Sequence, residues 1–286
     1  MFVLLVIPFL AFLFITTLIL IVKRKWKAAI IGAFFTFVVN NVSETFPLHF
    51  FSSKSDDGRE IKVMTYNVYC LGEKYNERQV AIAKTILDES PDIVFLCEFV
   101  LHKSAILDSM MTKRMGYLRY YQKGISSVFY SKYAIDSISA LYHRGSDNCH
   151  SLNNKVHVIM GKDTLTIVGC HLSSSNNHIA KGYENRRVEA DSIYANIKNE
   201  KFPIIVMGDF NDISGSYAIN RIKKVGLEDA WWRGGFGYGT TYHDKWLRLR
   251  LDHILFQDQK IKLLDVKVID SDLSDHNAVV AEFTLI

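Results

Sequence analysis

Eight polar residues of this chain stand in, at or just beyond the edges of short apolar runs. Asn67 closes a run that begins at Ile61, and Glu98 follows Asp92 to Cys97 (DIVFLC). His171 follows Leu165 to Cys170, Asp209 and Asn211 follow Pro203 to Met207 (PIIVM), Asp252 interrupts LRLDHILF, and Asp275 and His276 precede the apolar stretch from Ala278 to Leu285. Carboxylates in such places are hard oxygen donors that suit Mg²⁺, and they are costly beside a core unless coordinated or paired. Histidine, with a pKa near neutrality, suits proton transfer or charge-assisted contact with a phosphate, and a carboxylate such as Asp252 can fix its tautomer. Taken singly, each residue has a plainer reading. Glu98 can be a solvated carboxylate, Gly208-Asp209-Phe210-Asn211-Asp212 an Asx-rich turn, His171 a satisfied core histidine, and Asp252 an edge-strand charge. Recurrence at successive strand ends is the stronger signal, because an α/β sheet opens its functional cleft there.

The elements that must position these residues follow from periodicity. Ile61 to Val68 is β-rich, and Asn76 to Ser90 places Val80, Ala83, Ile86 and Leu87 on one helical face before Pro91. DIVFLC has the continuous apolar character of a strand covered on both faces. Short β-rich runs between Tyr117 and Met160, broken by Gly124, Gly145 and Gly161, predict antiparallel hairpins. Leu165 to Cys170, a helix over Ala180 to Lys198, PIIVM, Leu251 to Phe256 and Ala278 to Leu285 complete the set. This gives two groups of mixed strands with helices between and outside them, and no repeat.

In order along the chain, Met64-Thr65-Tyr66-Asn67-Val68, Pro91 to Glu98, Gly169-Cys170-His171-Leu172, Gly208-Asp209-Phe210-Asn211, Arg250-Leu251-Asp252-His253-Ile254 and Ser274-Asp275-His276 resemble the endonuclease/exonuclease/phosphatase (DNase I-like) superfamily. That superfamily includes pancreatic DNase, apurinic endonucleases, sphingomyelinases and inositol polyphosphate 5-phosphatases. The resemblance spans about Lys62 to Ile286. It implies an α/β fold, a four-layered α/β sandwich with two central mixed β-sheets, and one cleft across the sheet ends. It further implies that Glu98 holds Mg²⁺ or Mn²⁺, with Asn67 and Asp275 supporting the metal shell directly or through water and Asn67 also contacting the substrate. Asp209 would orient or activate the attacking water, Asn211 would hydrogen-bond the phosphoryl oxygens, and Asp252 would orient His276. His171 would contact phosphate or protonate the leaving oxygen, although Ser126 to Tyr130 offers no carboxylate to pair with it. Arg187 reads as a solvated helix charge.

At 286 residues the chain is long enough for one large domain beyond an apolar N-terminus. Its 34 basic and 30 acidic residues give a net charge of +4, too small to imply nucleic-acid binding through bulk electrostatics. Cys70, Cys97, Cys149 and Cys170 have no zinc-ligand spacing and do not fix a redox compartment. Met1 to Val22 contains no charged residue, which predicts a transmembrane helix rather than a cleaved signal. A basic stretch from Lys23 to Lys27 and a second apolar run from Ala28 to Val39 follow. If both runs span the bilayer, the basic loop stays in the cytoplasm and the domain faces the extracytoplasmic side; if the second run lies in the interface, the domain stays inside. The expected organisation is a membrane anchor over 1–51, a polar linker over 52–59 and the catalytic domain over 60–286. The hairpin is the arrangement carried forward, with the bilayer as a partner and no protein partner expected. The substrate remains open between nucleic acid and a phospholipid or sugar phosphate. Trp231-Trp232-Arg233 and Tyr242 to Trp246 are readable as a stacking clamp or as rim and membrane-interface packing. A tethered module without catalysis is disfavoured, because every principal position of the pattern carries a competent residue.

Overall fold

In the computed structural model the described residues are 58–69, 76–121, 126–142, 152–175, 179–244 and 247–286, with residue 47 and scattered positions from 19 to 32. Most of the expected anchor therefore lies outside the described residues, as does most of the linker. Among the described residues no helix is long and apolar enough to cross a membrane.

Strand β1 (Arg59–Asn67) alternates by the period of two that a pleated strand imposes. Ile61 and Val63 enter one buried cluster, and Met64 and Tyr66 enter another. Helix α1 (Asn76–Glu89) carries the chain to β2 (Ile93–Cys97), which pairs parallel with β1. After α2 (Ala105–Ser109), β3 (Leu118–Tyr121) and β4 (Ser127–Ser131) continue this sheet antiparallel, as the hairpin expectation required.

The second half repeats the plan. Strands β5 (Ala134–Tyr142), β6 (Leu152–Met160) and β7 (Asp163–His171) form an antiparallel meander. Helix α3 (Ile179–Ile197) then crosses to β8 (Ile204–Asp209), parallel to β7. Next come α4 (Tyr217–Lys223), β9 (Glu228–Asp229), α5 (Ala230–Gly234) and the small hairpin of β10 (Tyr242–Asp244) and β11 (Leu247–Leu249). Strands β12 (Asp252–Phe256), β13 (Ile261–Ile269) and β14 (Ala278–Leu285) end the chain. The sheets run β13-β14-β1-β2-β4-β3 and β5-β6-β7-β8-β12-β9.

Both sheets are mixed, and they pack face to face through Ile93, Phe95, Ile167, Ile205 and their neighbours. The outer face of the first sheet is covered by α1 and α2 through Ile82, Ile86 and Leu107, and that of the second by α3 and α4 through Ile193 and Ile222. Four layers result, the arrangement that buries both faces of both sheets. The α1 face differs from expectation: Gln79, Ile82, Ala83 and Ile86 are buried, while Leu87 is 46% exposed. Gln79 accepts from the backbone N–H groups of Ile106 and Leu107 and donates to the carbonyl of Lys103, so it docks α2 rather than facing water.

Close approach demands glycine at Gly169 and Gly208 in the adjacent strands β7 and β8. A Cβ on Gly169 would lie 2.3 Å from the Phe95 ring, where Phe95 and Phe129 stack between the sheets at 4.8 Å. Gly208 has φ +143 and a Cβ there would meet the Cys170 carbonyl oxygen at 1.9 Å, so its substitution is both strained and overpacked. Gly208→Ala is expected to destabilise the domain by about 3 kcal/mol or more. An unchanged urea midpoint in this variant would show that β7 and β8 can separate freely there.

Candidate active site

The topology brings the eight residues to one edge of the sandwich. In the parallel pairs β1–β2 and β7–β8 the C-terminal ends lie together, so Asn67 and Glu98 meet at one pair and His171 and Asp209 at the other. Strand β12 runs antiparallel to β8 and begins at this edge, with Asp252 opposite Asp209. The turn before β14 returns to it as well, where the Ser274 hydroxyl donates to the Asn67 carbonyl at 2.8 Å. Two of these positions, Glu98 (φ +49) and Asn211 (φ +48), hold non-glycine residues in the left-handed region. Such conformations carry strain that a packed surrounding must maintain.

Asp209 is the hub and is 1% exposed. Its Oδ1 accepts the backbone N–H of Asn211 at 2.8 Å, and its Oδ2 accepts from the side chains of Asn67 at 3.0 Å and Asn211 at 3.3 Å. Asn67 donates its other amide hydrogen to Glu98 Oε1 at 3.1 Å, while its oxygen accepts the N–H of Tyr69. Asn67 therefore bridges two carboxylates and sets their spacing. Asn211 also donates to the Leu172 carbonyl, tying the loop after β8 to the one after β7. The carboxylates facing His171 Nε2 are Glu98 at 3.8 Å and Asp209 at 3.9 Å.

His276 lies 2.7 Å through Nδ1 from Asp252 Oδ2 and turns Nε2 toward Asp209 at 3.7 Å. Burial opposes a charged ring, but Asp252, Asp209 and Asp275 outweigh it and push the His276 pKa up to about 10. Asp252 is held at the start of β12 by Thr241, whose hydroxyl oxygen accepts the N–H groups of Leu251 and Asp252 at 2.9 Å each. Asp209 and His276 were expected at a cleft surface rather than in the core. Both are buried, so they form the floor, and substitutions there act on packing as well as chemistry.

The donor set fits a divalent cation. Asp209, Asp252 and His276 place polar atoms within 4.8 Å of one another, but a His276 ring held charged has no lone pair for a cation, so the oxygens are the donors that count. Glu98 and Asp275 supply further hard oxygens, and Asp275 is only half-buried. Burial raises the Asp275 carboxyl, the charged His276 ring opposes this, and the nearby Glu98 carboxylate adds a smaller upward push.

Some residues were not legible in advance. Among the described residues Arg187 pairs with Glu184, exposed and at i,i+3, in accord with its reading as a solvated charge. Its neighbour Arg186 is 6% exposed and binds Asp212, the Ser173 carbonyl and the Ser175 hydroxyl, joining the loops that follow β7 and β8. Burial alone separates the two arginines, and no sequence signal does. Trp231 corrects the stacking-clamp reading: it is 9% exposed, belongs to the core and donates its ring N–H to the Gly237 carbonyl at 3.0 Å. Tyr242 does border the site, its ring 5.0 Å from that of His276. Lys245 and Trp246 lie outside the described residues.

The model of the Endonuclease/Exonuclease/phosphatase family matches residues 64–276, and the chain belongs to that family. It is accordingly a metal-dependent hydrolase acting on ester bonds of phosphate. No match by sequence is found among curated proteins. Among solved structures the fold is similar to that of TDP2 from C. elegans, with a TM-score of 0.64 and 22% identity over 80% of this chain and 77% of that one. It is similar also to the human Nocturnin catalytic domain with bound sulfate anion (TM-score 0.64, 16% identity, 79% and 94% covered). A third is D. rerio TDP2 complexed with a single strand DNA product (TM-score 0.64, 17% identity, 80% and 100% covered).

Proposed function

We propose that the chain is a Mg²⁺- or Mn²⁺-dependent phosphodiesterase acting on nucleic acid and tethered to a membrane by residues 1–51. The observation that carries the catalytic part is the meeting of Asn67, Glu98, His171, Asp209, Asn211, Asp252, Asp275 and His276 at one sheet edge. Glu98 and Asp275 are the residues assigned to hold the cation. The Asp252–His276 pair is buried, with Asp252 Oδ2 engaged by His276 at 2.7 Å, whereas Glu98 and Asp275 keep oxygens near solvent, where a hard cation can retain its waters. When bound, the cation supplies neutralisation of charge on the phosphoryl oxygens.

The chain's own groups do the rest. Asp209, with both oxygens already oriented by Asn67 and Asn211, accepts a hydrogen bond from the attacking water and aligns it with phosphorus. The water oxygen bonds to phosphorus and passes its proton to Asp209 as the opposite P–O bond breaks, and the departing oxygen takes up a proton, for which His171 is the assigned donor. The His276 ring, held charged by Asp252, directs Nε2–H to a non-bridging oxygen, and Asn67 and Asn211 keep the carboxylates spaced.

Nucleic acid is favoured by the Tyr242 ring beside His276 and the exposed Tyr69 after Asn67, since aromatic faces beside a phosphodiester site suit base stacking. A phospholipid substrate is the second reading, favoured by the uncharged run from Met1 to Val22. The deciding experiment presents the full-length chain in detergent with DNA, RNA, sphingomyelin and phosphoinositides. Cleavage of DNA or RNA is the expected result, and cleavage of lipid alone would replace the substrate assignment. Carbonate-resistant membrane association, with the domain exposed to protease only from the extracytoplasmic side, is expected for the tether. Release by carbonate would remove it.

A further inference from the structure

Asp252 and His253 are neighbours on β12 and so project from opposite faces of the sheet. Asp252 turns to His276, while His253 turns outward into a second buried cluster with Asp229, Arg250 and Phe210. His253 is 0% exposed, its ring is 5.3 Å from the Phe210 ring, and Asp229 and Arg250 are 4% and 8% exposed. Arg250 spans Asp229 with Nη1 to Oδ1 at 3.2 Å and Nη2 to Oδ2 at 2.9 Å. The same Nη1 lies 2.8 Å from His253 Nδ1, and Nη2 donates to the Ser214 hydroxyl.

These contacts place a hydrogen on His253 Nε2. The Asp212 carbonyl facing that nitrogen can only accept, so Nε2 must donate. Nε2–H then donates to the Asp212 carbonyl at 3.1 Å. At Nδ1 the ring meets both partners of the ion pair, the Arg250 guanidinium at 2.8 Å and the Asp229 carboxylate at 3.1 Å.

The cluster therefore grips the loop after β8 at two points, the Asp212 carbonyl and the Ser214 hydroxyl. That loop carries Asp209 at its start and Asn211 in its left-handed conformation, which an ungripped turn would relax. We infer that Asp229, Arg250 and His253 form a positioning unit for the Asp209–Ser214 loop, holding Asp209 and Asn211 in register with the substrate. The inference rests on the role proposed above for those two residues. None of the three touches the site. They act through the loop backbone, as outer partners that orient functional side chains do.

The test uses the full-length chain as wild type, His253→Phe, His253→Gln and Ser214→Ala. Phenylalanine keeps the ring contact with Phe210 and leaves the Arg250–Asp229 pair intact while removing both hydrogen bonds. It is expected to lower kcat about 10- to 100-fold with little change in KM, and to speed hydrogen exchange over residues 210–214. Glutamine can accept from Arg250 and donate to Asp212, so it is expected to restore most of kcat, the slow exchange and the pH profile. Wild-type kcat and exchange in His253→Phe would overturn the inference, as would a glutamine variant as impaired as phenylalanine. If His253→Phe does not fold, Ser214→Ala decides: a lower kcat and faster loop exchange support the grip, and wild-type values refute it. A wild type without turnover on any substrate would instead count against the proposed function, and the loop exchange would still decide the positioning.

Discussion

Asp209→Asn is expected to lower kcat by at least about 10³-fold, roughly 4 kcal/mol of transition-state stabilisation, while the chain still folds. Both oxygens of Asp209 accept, one from the Asn211 N–H and the other from the Asn67 and Asn211 amides. An asparagine of the same shape must turn an NH₂ toward one of these donors, whichever way it faces. The charge that aligns water is lost, and one mispaired donor costs about 1–3 kcal/mol of stability. The isosteric change is the informative one because Asp209 is buried: alanine would leave its donors without an acceptor. The same reasoning applies to His276. His276→Ala would strand the Asp252 carboxylate in a buried position, at a cost of about 3–5 kcal/mol, so loss of activity there would be confounded with loss of fold. His276→Gln is the better partner variant. Steady-state kinetics and a thermal melt, measured on the same Asp209→Asn preparation, check the expectation. Near-normal turnover would remove Asp209 from the chemistry.

Chelation of divalent cations is expected to abolish turnover, with recovery on adding Mg²⁺ or Mn²⁺. The physical reason is the concentration of negative charge at one sheet edge, where Glu98, Asp209, Asp252 and Asp275 gather around the one ring of His276 that Asp252 holds charged. Calcium-free, magnesium-free protein should also melt earlier, because a cation that binds only the folded state stabilises it by about 2.7 kcal/mol at a hundred times its dissociation constant. Glu98→Gln is expected to shift the metal midpoint for activity upward about 10- to 100-fold. Full activity in chelator, or an unchanged metal midpoint in Glu98→Gln, would remove the cation from Glu98.

The elements that were legible in the sequence share a property: their burial pattern is a local consequence of side-chain type. DIVFLC, PIIVM and the β-rich stretch from Ile61 to Val68 are visible because strands covered on both faces are apolar along most of their length. Strand β13 was not anticipated. It is an edge strand, IKLLDVKVI, whose mixed exposure gives no clean period, and only its antiparallel pairing with β14 makes it a strand. Gln79 was missed for a related reason, since a polar residue becomes a buried one only when another element brings backbone groups to pair with it.

By itself the sequence determined which side chains could act and that each stands in or beside an apolar run, because a strand's composition and the polar residues in it or at its edge are written next to each other in the chain. Tertiary structure decided everything that depends on distance across the chain. It set Asp252 opposite Asp209 by antiparallel register, used Asn67 to bridge Glu98 and Asp209, buried Arg186 while leaving Arg187 in solvent, and drew Trp231 into the core. The reason is that pairing register, burial and hydrogen-bond partnership are properties of two segments together, and neither segment contains the other's position.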